Sequence, residues 1–80
     1  MLEILTIQHY SENLKEVKRI TLSVEKIFLI SAATDDIVIN GLNLREVFIY
    51  FEDGGQIDVI INHSDLSMLE RAVGTFYAPS

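Results

Sequence analysis

The strongest constraint on this chain is the stretch from Arg45 to Asn62, in which two runs of alternating apolar residues flank Asp53, Gly54 and Gly55. A period of two puts one row of side chains on each face of an extended strand, and a glycine-bearing turn between two such runs marks a β-hairpin. Loop length decides which residues share a face. A two-residue loop sets Val47, Ile49 and Phe51 against Gln56, Asp58 and Ile60 and scatters the polar side chains over both faces. A three-residue loop with Gly55 in the left-handed conformation pairs Glu52 with Gln56. It also gathers Val47, Ile49 and Phe51 with Ile57, Val59 and Ile61 on one wholly apolar face, which is the register expected. The other face then carries Glu46, Phe48, Tyr50 and Glu52, with Phe48 beside Ile60 and Tyr50 beside Asp58.

An apolar hairpin face needs a cover, and the residues after the hairpin supply one. Ser64 reads as an N-cap with Asp65 in the first turn, where the helix dipole favours a negative charge. Leu66, Leu69 and Val73 then recur at helical spacing, Gly74 suits the C-terminus, and Phe76 extends the apolar face. The resulting fold class is α+β: a small antiparallel meander of hairpins with a C-terminal helix packed on one face.

The N-terminal half supports two readings. Leu2 to Gln8 alternates well enough for a first strand. Between Ser11 and Ile30, Leu14, Val17, Ile20, Val24, Ile27 and Phe28 make a helical stripe, which gives an alternative with an additional helix spanning about 11–29. The β-branched content and the alternation of Ile20, Leu22 and Val24 with Thr21 and Ser23 favour strands at Val17 to Ser23 and Ile27 to Ala32, after a turn or short helix at Ser11 to Glu16. Thr34-Asp35-Asp36 and Asn40-Gly41 punctuate the short apolar run Ile37 to Ile39. No linker or repeat interrupts the chain, so residues 1–80 read as a single domain with a frayed tail at 77–80.

Few residues have the spacing that chemistry requires. His63-Ser64-Asp65 holds the residue types of a hydrolytic triad, but consecutive side chains at a strand-to-helix junction diverge, so they read as a helix cap. Asn62-His63-Ser64 matches a glycosylation sequon, read as chance because no basic segment precedes an apolar one at the N-terminus. His63 with Asp58 or Asp65 lacks the spacing of a metal site. Asp35-Asp36 and Glu52-Asp53 are solvated turn carboxylates, and Lys15, Lys18 and Arg19 form a solvated face interrupted by acidic residues. No catalytic residue, cofactor-binding residue or metal ligand is assigned, and the chain reads as non-enzymatic.

Composition bounds the partners. With Lys+Arg 6 against Asp+Glu 12 the formal net charge is -6, which disfavours direct contact with nucleic acid or an anionic membrane. No apolar run reaches the ~18–20 residues that span a bilayer, and a cytoplasmic location is expected. A chain of 80 residues without cysteine has a small core and no disulfides to reinforce it, so oligomerisation is the natural supplement. The 49% hydrophobic content points the same way.

The face bearing Phe48, Tyr50 and Ile60, rimmed by Glu46, Glu52 and Asp58, has the apolar centre and polar rim of an interface, unless the N-terminal segment covers it. The expected function is a small protein-interaction or regulatory module that self-associates. The alternatives are an acidic inhibitor or decoy docking on a basic, nucleic-acid-binding protein, or a small metal-binding protein built on His9, His63 and nearby carboxylates.

Overall fold

A computed structural model describes residues 3–11, 16–73 and 76–77. The element order is β1 (Ile4–Tyr10), β2 (Val17–Ser23), a single 3-10 turn (Val24–Lys26), β3 (Ile27–Ala32), β4 (Ile37–Ile39), β5 (Leu42–Phe51), β6 (Gln56–Asn62), α1 (His63–Ala72) and β7 (Phe76–Tyr77). The chain is α+β, as the hairpin pattern implies. The stretch that also fits a long helix forms β2, the turn and β3 instead. Residues 12–15 and Gly74 lie outside the described residues, and with them the short helix and the glycine stop placed there. Tyr77, assigned to the tail on sequence, lies in β7.

Strand β5 organises the larger sheet. It pairs antiparallel with β6 over Leu44 to Tyr50. It also pairs with β4 at Leu42 to Leu44 and with β3 at Val47 to Phe51. A strand has only two edges, so β3 and β4 share the edge opposite β6. Beyond β3, β7 pairs parallel at Ile30 and Ser31. The register of β3 slips between Ile27 and Leu29, leaving Phe28 as a bulge residue that is 60% exposed.

Alternation assigns the two faces of this sheet. Ile30, Ala32, Val47, Ile49, Val59 and Ile61 lie on one side and join Leu66, Leu69 and Val73 of the C-terminal segment in the main core. Each of the valine, leucine and isoleucine side chains, fully buried, contributes about 1.5–3 kcal/mol. β1 and β2 form a separate two-stranded sheet, with Leu5 opposite Leu22 and Ile7 opposite Ile20. These four pack into the same core. The inward row of β1 is therefore Leu5 and Ile7, and not the row containing Ile4, which is 60% exposed.

Two local expectations are corrected. The β5–β6 loop does have three residues, but they are Glu52 to Gly54. The Gly54 N–H donates to the Phe51 carbonyl at 3.0 Å and the Phe51 N–H to the Gly55 carbonyl at 2.8 Å. Gly54, at φ 92°, takes the left-handed role expected of Gly55. Two contacts favour this placement: Asp53 Oδ1 accepts the Gly55 N–H at 2.7 Å, and the Glu52 N–H donates to the Lys26 carbonyl at 2.9 Å. Moving the loop by one residue slides the pairing by two, and a slide of two preserves the faces.

The second correction concerns the start of α1. Asn62, not Ser64, is the N-cap: it is extended at φ -78° and ψ 167°, and its Oδ1 accepts the Asp65 N–H at 2.8 Å. Asn62 ends β6 and begins the helix in a single residue, which is why the helix starts earlier than the serine suggests.

Two stability measurements check these assignments. Asn62→Ala should lower unfolding free energy by about 0.5–2 kcal/mol while Ser64→Ala, exposed and outside the cap, should leave the denaturation midpoint nearly unchanged. Gly54→Ala should cost roughly 1 kcal/mol through its positive φ. Gly55→Ala should cost less, because Gly55 lacks a positive φ and its new methyl meets the Asp53 carboxylate at 3.0 Å and the Phe51 ring at an ordinary 3.7 Å.

Candidate interaction face

The side of the larger sheet turned away from α1 is built from the even-numbered positions of β5 and β6. Pairing places Glu46 opposite Ile60, Phe48 opposite Asp58 and Tyr50 opposite Gln56. All of these were expected on one face, and they do share it. The individual pairs differ: Phe48 meets Asp58 instead of Ile60, and Tyr50 meets Gln56 instead of Asp58, because of the two-residue slide at the loop. Glu52 is exposed in the turn itself.

The face is covered unevenly. Ile60 is buried at 9% exposure and Leu44 at 0%, yet neither belongs to the main core. Glu46, Phe48 and Tyr50 are half-buried, and Asp58 is exposed. Two half-buried neighbours from β3 complete the centre, since Leu29 pairs with Tyr50 and Ser31 with Phe48. The same side continues along the hairpin of β4 and β5, where Ile37 pairs with Leu44 and Ile39 with Leu42. Leu42 is 45% exposed. The alternation around Asn40-Gly41 carried a signal for this extension, but only the register of β5 shows that it joins the Phe48 side. Asn40 and Gly41, at φ 50° and 81°, form the two-residue turn that sets this register.

The N-terminal strand reaches the rim of this face at β6. His9, Tyr10, Glu46, Asp58 and Ile60 line a cleft of about 160 Å³. Here the Ile60 N–H donates to Nδ1 of His9 at 2.9 Å, and Asn62 Nδ2 lies 3.4 Å from the Tyr10 hydroxyl. Nearby, the Gln8 N–H donates to Oδ2 of Asp65 at 2.9 Å. β1 thus covers Ile60 and leaves Phe48 and Tyr50 half-buried.

The triad-like run separates as its spacing requires. His63 turns its Nε2 to Asp36 Oδ1 at 2.9 Å, Asp65 takes the Gln8 N–H, and Ser64 is exposed. Arg45 also holds Asp36, with Nη2 at 2.6 Å and Nε at 3.1 Å from the same Oδ1. The hydrogen bond from Arg45, and then that from His63, hold the Asp36 carboxyl below its ordinary value. Among the described residues, no three His, Asp or Glu side chains gather into a group that could bind a metal ion. No described helix is long and apolar enough to cross a membrane.

No protein-family model, curated protein or solved structure matches this chain.

A lowered carboxyl value means that folding binds the ionised form better, so the Asp36 contribution is present above the unfolded value and disappears as pH falls through the folded one. Asp36→Asn should therefore remove part of the acid-side slope of stability against pH while leaving the alkaline side unchanged. Urea unfolding over an acidic pH series measures it.

Proposed function

We propose that this domain is a small, non-enzymatic protein-interaction module of the cytoplasm, and that it self-associates through the sheet face carrying Glu46, Phe48, Tyr50, Glu52, Asp58 and Ile60. One observation carries the reading. The two sides of one sheet differ at their centres: Val47, Ile49, Val59 and Ile61 are buried in the main core with α1 and the N-terminal hairpin, whereas on the other side Leu44 and Ile60 are buried but Leu29, Phe48 and Tyr50 stay half-buried and Leu42 is 45% exposed. A half-buried aromatic centre inside a charged rim is the arrangement that a second surface completes. Burial of that centre would also add apolar contact to a chain too short for a large core of its own.

The charges on the rim favour a second reading. Glu46, Glu52 and Asp58 are all acidic, and a self-complementary contact brings like charges together near its axis, whereas a basic protein would neutralise them. In that case the module is an acidic inhibitor or decoy. Its affinity for a basic partner would fall steeply with added salt, while apolar self-association would not.

Sedimentation decides between them. Under the leading reading the wild type sediments as a dimer or larger species at high micromolar concentration. Replacing Phe48 and Tyr50 together by serine should then yield monomers with native far-UV circular dichroism. A monomeric wild type would exclude self-association. A double variant that unfolds would assign both side chains to the interior, as the ~2–5 kcal/mol cost of each core truncation would dictate.

A further inference from the structure

The contact between β1 and β6 differs in kind from the ladders that join the other strands. Among the described residues, β6 ladders with β5 and β1 with β2, and no ladder joins β1 to β6. Where β1 passes the outer edge of β6, side chains make the bonds: Ile60 N–H to His9 Nδ1, Gln8 N–H to Asp65 Oδ2, and Asn62 to Tyr10. Register explains why Ile60 presents its N–H here. The Phe51–Gly55 bond closes the hairpin, so Ile49 with Ile57, Val47 with Val59 and Arg45 with Ile61 are the hydrogen-bonded pairs. Ile60, opposite Glu46, points its N–H away from β5.

A backbone N–H can only donate, so the ring nitrogen 2.9 Å away must accept. In this arrangement Nδ1 is the acceptor, which requires a neutral ring with its proton on Nε2. An imidazolium has two donors and no acceptor, so a protonated His9 would aim one donor at another. We propose that His9 is a proton-controlled latch that holds the N-terminal hairpin against the corner formed by β6 and α1, closed when the ring is neutral and released when it is protonated.

The groups around the ring determine where it turns after release. Lys18 lies directly opposite His9 on β2 and opposes the imidazolium. Glu46 of β5 and Asp58 of β6 line the same cleft, with Tyr10 of β1 beside them, and the two carboxylates attract it. Asp65 of α1 is engaged by the Gln8 N–H. Asp58 gives the protonated ring an acceptor to turn toward, and the hairpin keeps Gln8–Asp65 and the long Tyr10–Asn62 contact as its remaining polar ties. The expected outcome is a local loosening at β1 and the outer edge of β6, with the β5 ladder and the main core intact.

Amide hydrogen exchange, corrected for intrinsic rates, tests this at about pH 7.5 and about pH 5.5. In the wild type, protection at Ile60 should fall roughly two- to tenfold at the lower pH, the worth of one hydrogen bond, while Val59 and Ile61 keep theirs. His9→Asn supplies an acceptor that does not protonate, and should hold Ile60 protection equal at both values. A parallel loss at Val59 and Ile61, an unchanged Ile60, or an equal fall in His9→Asn would overturn the latch. Nitrogen chemical shifts of the His9 ring give a test without a variant: a proton on Nδ1 at about pH 7.5 would overturn it directly.

Discussion

Strand β5 imposes the constraint on which the other elements depend, because it ladders with three strands at once. β6 occupies one edge, and β3 and β4 divide the other. Once that register is set, Val47 and Ile49 lie under α1, and the even-numbered side chains from Leu44 to Tyr50 lie on the far side. Ile30 and Ala32 inherit their buried positions from pairing with Ile49 and Val47. β4 is only three residues long, and it holds its place through the tight turn at Asn40 and Gly41.

The N-terminal hairpin is attached by different means. Its apolar row, Leu5, Ile7, Ile20 and Leu22, enters the shared core and supplies non-directional cohesion. Its position along β6 is specified by a few directional contacts between side chains and backbone. Cohesion without a ladder allows such an element to shift when a single acceptor changes state. The two histidines have opposite requirements here. His63 faces a carboxylate, an acceptor that a positive ring would bind more strongly, whereas His9 faces an N–H, which only a neutral ring can accept.

The difference between the centres of the two sides of the larger sheet, one buried in the main core and one half-buried, gives the proposed interaction its physical basis. Leu29, Phe48 and Tyr50 at the centre of the latter side are half-buried, neither core nor freely solvated. Its acidic rim restricts the partners that would complete it, since desolvating several like charges against one another is unfavourable.

Much of this was legible in the amino-acid sequence, wherever a period of two or of about 3.6 reported directly on burial. The Arg45 to Asn62 hairpin, its two faces, the strands Val17 to Ser23 and Ile27 to Ala32, and the Leu66, Leu69 and Val73 stripe are of this kind. So is the membership of the candidate face, because side-chain alternation survives a register slide of two. What only the tertiary structure decided are choices between near-equal local options. Gly54 or Gly55 could each take the positive φ, and the Glu52 contact to Lys26, remote in sequence, belongs to the arrangement adopted. Asn62 or Ser64 could each cap α1, and the end of β6 selected Asn62. His9, one polar residue among several in its strand, acquired its role only when β6 presented an N–H to it. Periodicity encodes which side of an element is buried; which atoms meet across two elements depends on long-range packing that no local pattern records.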